Sequence, residues 1–133
     1  MKVTSHNIRA SSRLLEEYAD WLLQPANATD IVLCQDIGVS SVSSIRKLKS
    51  LHPSLHCLFS FCNSNNSRSV AILAGPAWSV LRITDGGTGA FLGVILGQGD
   101  RLLAVASAYL PPGLDLIGYQ ANSMGTLSAR RLF

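Results

Sequence analysis

The spacing of apolar and polar positions divides the first sixty residues into strands that alternate with helices. A helix capped by Ser11 or Ser12 is expected to run to about Gln24, and a second helix is expected over about residues 41–51. The apolar run at 30–35 is continuous, which is typical of a strand covered on both faces. Strands are therefore predicted at residues 2–8, 30–35 and 55–61.

The pattern changes after a polar loop, CNSNNSR, at residues 62–68. Short turns containing Gly-Pro, Asp-Gly-Gly and Gly-Gln-Gly-Asp, which are typical of β-hairpins, separate four further apolar runs at 69–74, 78–84, 91–96 and 102–109. The order β-α-β-α-β followed by β-hairpins predicts an α+β fold, with a mixed sheet carrying helices on one face and a meander beside it. Residues 116–133 predict no element and form an unassigned tail.

Composition limits the class of protein. The chain has 133 residues, of which 47% are hydrophobic and 14% are charged, so it can bury a core and is not intrinsically disordered. Its net charge is +3, but no run of Lys or Arg exceeds two residues, which excludes a polybasic tail. Globular domains usually carry about 25% charged residues. The deficit indicates a surface covered by a partner or by a further part of the same fold.

Targeting and membrane signals are not expected from the sequence. The first residues lack the apolar core of a signal peptide, and the most apolar stretch is interrupted at Gln98, Asp100 and Arg101, so no transmembrane segment is predicted. The three cysteines form no Cys-x-x-Cys motif. We therefore expect reduced, partly buried thiols in an intracellular protein.

Polar residues end two of the predicted strands. Asn7 ends the first strand and Gln35-Asp36 ends the second, so neighbouring strands would bring them to one rim of the sheet, where ligand sites are usually built. A carboxylate beside a neutral amide suits Mg²⁺. The structural alternative is that Asp36 only starts a turn and Asn7 caps the loop before the first helix. His6 is expected to face the other way, toward the core.

Two further side chains have similar alternatives. Tyr109 ends the last predicted strand, where its phenol either donates a hydrogen bond to a phosphate oxygen or packs on the prolines that follow. Arg68 lies in the polar loop, where it either contacts a nucleic-acid backbone or is a solvated surface residue.

Four motifs follow one another along the chain, and they are SHNIRAS at 5–11, TDIVLCQD at 29–36, SVAIL at 69–73 and VASAYLPPG at 105–113. Together they resemble the endonuclease/exonuclease/phosphatase superfamily, which has the DNase-I-like fold. They are most similar to the apurinic-type endonuclease domain of non-LTR retroelements. The resemblance covers residues 1–115 and implies the N-terminal part of a four-layer α/β/β/α sandwich.

The resemblance also implies a chemistry, namely Mg²⁺-dependent hydrolysis of a phosphodiester in nucleic acid, DNA rather than RNA, with Mn²⁺ as a substitute ion. It implies that Asp36 holds the metal, that Asn7 orients and shares this site, and that Tyr109 contacts the phosphate. Arg68 would touch the nucleic-acid backbone.

Departures from the family pattern indicate weak or absent activity. Asp36 is one methylene shorter than the Glu of the family, and neither the downstream Asp-x-Asn motif nor the terminal Asp-His pair has a match after Tyr109. The expectation is a truncated or diverged domain, and the alternative is a non-catalytic binding or scaffold protein that keeps the sandwich. A missing second half would leave a sheet uncovered, which predicts self-association.

Overall fold

The computed structural model describes residues 1–60, 69–86 and 91–109, and for residues 38–42, 44 and 45 only the backbone. Two α-helices and seven strands make up this part of the chain, together with a short 3₁₀ turn at Pro25–Asn27. In chain order they are β1 (Val3–Asn7), α1 (Ser12–Leu22), β2 (Ile31–Gln35), α2 (Gly38–Leu51), β3 (His56–Ser60), β4 (Val70–Ala74), β5 (Ser79–Asp85), β6 (Phe91–Gln98) and β7 (Arg101–Ala108).

The strands form two sheets. The first has the order β1-β2-β4-β3, with β1 and β2 parallel and the other pairs antiparallel, so it is a mixed sheet as predicted. The second is a three-stranded antiparallel meander, β5-β6-β7, which confirms the hairpins expected from the Asp-Gly-Gly and Gly-Gln-Gly-Asp turns. We call them sheet 1 and sheet 2.

Two hydrophobic cores stack these elements into three layers. The helices cover one face of sheet 1 through residues such as Leu15, Leu22 and Leu48, which pack against Val32 and Leu73. The other core joins the opposite face of sheet 1 to sheet 2, and its buried members are Ile31, Val70, Ile72, Ala74, Trp78, Leu92, Val94 and Leu96. Burying apolar area on both faces explains why β2 and β4 are continuous apolar runs.

Helix α1 begins where the sequence predicts. The Ser11 hydroxyl accepts a hydrogen bond from the amide of Leu14 at 3.3 Å, which satisfies one of the free donors of the first turn. Helix α2 begins at Gly38, three residues before the predicted start, and its N-cap Ile37 provides no side-chain hydrogen bond. Without a capping side chain the sequence carries no signal for this start.

One prediction about connectivity is wrong. The Gly-Pro turn at 75–76 was expected to close a hairpin, but it carries the chain from β4 in sheet 1 to β5 in sheet 2. Gly75 allows this crossing because a Cβ there would lie 2.2 Å from the carbonyl oxygen of Ala28. β4 itself lies between β2 and β3, in the centre of sheet 1.

Among the described residues, no helix combines the length and the hydropathy needed to cross a membrane.

Candidate functional site

The candidate site lies at the end of sheet 1 where β1 and β2 terminate, and we call this end the carboxyl rim. Asn7 and Gln35 are register partners at this end, and Asp36 follows directly in the chain. Because β4 is antiparallel to β2, it begins with Val70 at this level, and because β3 is antiparallel to β4, it ends there with Ser60. The predicted convergence of Asn7 with Gln35-Asp36 is therefore present.

Sheet 2 contributes its last strand to the same rim. β7 starts near the opposite end, where Arg101 lies over the ring of Trp78, whose indole N–H donates to the carbonyl of Thr29 just before β2. It ends beside β2, because the Ser107 hydroxyl lies 3.1 Å from Gln35 Nε2. Tyr109 follows two residues later and packs, half-buried, at the margin of the core between the sheets.

Buried hydroxyl groups are concentrated at this rim. Four polar or charged residues are buried in the described part of the chain, and three of them, Ser60, Ser69 and Ser107, lie at the carboxyl rim. Ser60 donates to the Asp85 carboxylate at 2.5 Å. The Ser69 hydroxyl is the one buried side-chain polar atom without a hydrogen-bond partner among the described residues. Since an unpaired buried hydroxyl costs about 1–3 kcal/mol, the rim is not optimised for stability.

The backbone at the rim is strained in three places. Arg9, Ala10 and Asp36 have φ of 49°, 60° and 55°, and they are the non-glycine residues with positive φ among those described. Each left-handed residue costs about 1–3 kcal/mol and persists only where surrounding contacts impose it. Here the amide of Ala10 donates to the carbonyl of Asp36 at 2.7 Å, and the amide of Ile8 donates to that of Gln35 at 3.0 Å.

Asn7 stabilises the strained turn that follows it. Its Oδ1 accepts a hydrogen bond from the amide of Arg9 at 3.1 Å, so the loop-capping alternative describes part of its role. A carbonyl oxygen has two lone pairs, which leaves one for a second partner. Asn7 is exposed, and this second lone pair is the one a ligand would use.

Asp36 provides the carboxylate next to Asn7. It is half-buried, and the one ion pair within the described residues, between Arg13 and Glu17, lies on α1 and does not neutralise it. No group of three or more His, Cys, Asp or Glu residues that could enclose a metal is found in the described ranges. One carboxylate with neutral oxygens around it fits a Mg²⁺ ion that keeps most of its water ligands and is completed by phosphate oxygens.

The opposite face of β1 carries His6, as predicted. Its Nδ1 lies 2.6 Å from the Tyr18 hydroxyl, and the two rings meet edge to face. Burial, reinforced by the nearby Cys34 and Glu17, raises the pKa of the Tyr18 phenol, which therefore stays neutral. His6 thus ties β1 to α1 and takes no part in the rim.

The hydrogen bonds of Gln35 and the position of Ser107 at the rim were not anticipated. Gln35 Nε2 lies 3.1 Å from each of three acceptors, the hydroxyls of Ser5 and Ser107 and the carbonyl of Leu33. The Ser107 hydroxyl donates in turn to the carbonyl of Cys34 at 3.0 Å. The sequence contains one indication of Ser107, because this polar residue continues the alternate, inward-facing positions of Leu103 and Val105.

The remaining predicted site residue, Arg68, lies outside the described residues, as do the tail at 116–133 and Cys62. Asn7, Asp36 and Tyr109 are thus all located on or beside one rim, where sheet 1 and sheet 2 meet. No family model matches the chain, and no curated protein is similar to it by sequence.

Proposed function

We propose that this chain is the N-terminal part of an endonuclease/exonuclease/phosphatase domain with the DNase-I-like fold, and that its carboxyl rim is half of a Mg²⁺-dependent phosphodiesterase site. The observation that carries the proposal is the joint position of Asn7 and Asp36 at the ends of two parallel strands, with Tyr109 arriving from the second sheet. Each of the four sequence motifs named above contains residues of one strand, namely β1, β2, β4 or β7.

The layering supports the finer fold proposal. The helices, sheet 1 and sheet 2 form three stacked layers, an order that the first three layers of an α/β/β/α sandwich would also have. Leu81 and Leu102 flank Gly97 on the outer face of sheet 2, and they are 57% and 72% exposed. An apolar outer face is what a fourth, helical layer would cover.

The residues of the rim fit a simple division of labour. When bound, Mg²⁺ supplies Lewis-acid stabilisation of the charge that develops on a phosphate. Asp36 and the free lone pair of Asn7 would hold the ion, and Mn²⁺ would substitute for it. The Tyr109 phenol would donate to a phosphate oxygen, and Arg68 would contact the nucleic-acid backbone, DNA rather than RNA.

Activity of this chain is proposed to be weak. Asp36 reaches one methylene less far than the Glu of the family, and Mg²⁺ requires close to ideal octahedral geometry. The Asp-x-Asn and Asp-His motifs that would orient the water and bind the phosphate have no counterpart after Tyr109. General acid–base assistance of that kind contributes about 10²–10⁴-fold, so its loss leaves mainly metal and phosphate binding.

Metal binding followed by plasmid nicking tests the proposal. Wild type should bind Mn²⁺, measured by electron paramagnetic resonance, and should nick supercoiled plasmid slowly with Mg²⁺ or Mn²⁺ but not with EDTA. Asp36→Ala should weaken Mn²⁺ binding at least about tenfold, which corresponds to 1.4 kcal/mol. Asp36→Glu, which supplies the longer acid, should bind more tightly than wild type.

Asp100→Ala is the matched control, because Asp100 is an exposed acid in the β6–β7 turn and its removal changes the net charge equally. Equal Mn²⁺ affinity in wild type and Asp36→Ala would refute the metal site. Salt-dependent DNA binding without any metal binding would instead support the scaffold alternative.

A further inference from the structure

We propose that Ser107 is a positioning residue, whose hydroxyl acts through Gln35 to fix sheet 2 against the carboxyl rim. The inference rests on the proposed function for its purpose, since it concerns how Tyr109 is held relative to Asp36. The geometry that carries it consists of hydrogen bonds between described residues.

Ser107 is built into the contact between the sheets. It is 1% exposed, its hydroxyl donates to the main-chain carbonyl of Cys34 at 3.0 Å, and it accepts from Gln35 Nε2 at 3.1 Å. Its single proton and one of its lone pairs are thus both directed to β2. In this way β7 of sheet 2 is hydrogen-bonded to both the main chain and a side chain of β2 in sheet 1.

Gln35 is held on three sides. The two hydrogens of its amide nitrogen are shared among Ser5 on β1, the carbonyl of Leu33 on its own strand, and Ser107 on β7. The Ser5 hydroxyl also lies 3.4 Å from Gln35 Oε1. One side chain therefore connects β1, β2 and β7 immediately before Asp36.

This connection determines the spacing of the candidate site. Gln35 faces Asn7 in register and precedes Asp36, while Tyr109 lies two residues after Ser107, directly past the end of β7, and packs on the same core as Leu103 and Val105. Apolar contacts between the sheets are non-directional, so they resist separation of the layers better than sliding. The Gln35–Ser107 hydrogen bond is directional, so it resists sliding of the sheets at this end of the interface. At the other side of the rim, Ser60 and Asp85 form a second polar link between the sheets.

Hydrogen exchange tests the positioning role without requiring a metal. The amides of Ile8 and Ala10 donate to the carbonyls of Gln35 and Asp36, so they report opening of the rim. Ser107→Ala should accelerate their exchange about tenfold while the amide of Leu73, in the centre of sheet 1, changes little. Gln35→Leu should have the same local effect, and the double variant should add little to either one.

Ser79→Ala, at an exposed position that begins β5, is the matched control and should leave all these amides unchanged. Exchange that rises equally at Leu73 and at the rim, or that does not change, would overturn the inference, because Ser107 would then serve only global stability.

Mn²⁺ affinity provides the second measurement. In Ser107→Ala it should fall about fivefold although Asp36 and Asn7 are unaltered, and an unchanged affinity would overturn the link to the site. If wild type binds no Mn²⁺, the proposed function fails, whereas the exchange experiment still decides whether Ser107 positions the rim.

Discussion

Three residues of the carboxyl rim, Arg9, Ala10 and Asp36, hold backbone conformations that non-glycine residues rarely adopt. Hydrogen bonds from Ala10 to Asp36 and from Arg9 to the Asn7 side chain keep the two connections in place. Arg9 and Ala10 are exposed, so burial of their side chains does not compensate the cost. Strain at these positions is consistent with a site whose geometry is held at the expense of stability.

Replacing Ala10 by glycine should relieve part of this strain. Glycine adopts φ near 60° without the clash of a Cβ, so Ala10→Gly is expected to raise the free energy of unfolding by about 0.5–1 kcal/mol, measured by urea denaturation. Ala108→Gly is the control, because Ala108 is exposed in a regular strand, and there glycine should destabilise by about 0.5–1 kcal/mol. A loss of stability in Ala10→Gly would contradict the assignment of strain.

The sequence located only some of the important residues at this scale. Asn7 and Asp36 could be predicted because Asn7 ends one strand and Asp36 directly follows another, positions that the local pattern reveals. Ser107 could not be assigned its partners, because Gln35 is 72 residues away in the chain and only the packing of the two sheets brings them together.

Among the elements, β2 connects the most parts of the molecule. Its residues Val32 and Cys34 face the helices, while Ile31 and Leu33 face sheet 2. Cys34 and Cys57, on β2 and β3, both lie in the helix–sheet core and are free thiols. Burial, and to a smaller extent the nearby Cys57, raises the pKa of Cys34 to about 12. Burial also raises the pKa of Cys57 to about 11, although the nearby Lys49 opposes part of this rise.

These thiols predict a loss of stability in alkali. Unfolded thiols ionise near pH 8.5, whereas the folded ones stay protonated, so the stabilisation is complete below about pH 8.5 and is lost as pH rises toward 11–12. Between pH 9 and 10 the free energy of unfolding should fall by about 1.2 kcal/mol per thiol, measured by urea denaturation. The Cys34→Ala/Cys57→Ala variant should show a correspondingly shallower slope, and an equal slope would show that the thiols are not responsible.

The elements themselves could be predicted better than their arrangement. Every predicted helix and strand within the described residues is present, because periodicity reports which faces are buried. The position of β4 between β2 and β3 could not be derived from the pattern. A run such as VAILA is equally suited to any central strand. The entropic cost of closing a loop rises only slowly with its length, so the loop lengths do not fix the strand order either.

At the scale of the molecule, sheet 2 is the less completely covered layer within the part of the chain that the structure describes. Leu81, Ile83 and Leu102 on its strands are each more than half exposed. The edge strand β5 carries Arg82, Asp85 and a register shift between Val80 and Arg82, which are features that discourage pairing with another chain. β7 carries one charge, Arg101, at its very start, so residues 102–108 present an uncharged edge.

We expect the chain to self-associate through this sheet. Light scattering and sedimentation at tens of micromolar should show species larger than a monomer, and Leu102→Lys should reduce them by placing a charge on the exposed face. Leu51→Lys is the matched control, because Leu51 is 61% exposed at the end of α2 and gains the same charge. A wild-type chain that remains a sharp monomer would contradict the expectation.

What the sequence by itself determined is the set of elements and the positions of Asn7 and Asp36 at the ends of two strands. Both follow from local pattern, since burial of one face or two is written into the spacing of apolar residues. The tertiary structure decided that sheet 2 packs on sheet 1 and that Ser107 meets Gln35 beside Asp36. Such contacts depend on which distant surfaces bury the most apolar area together, a property of the whole chain that local spacing does not encode.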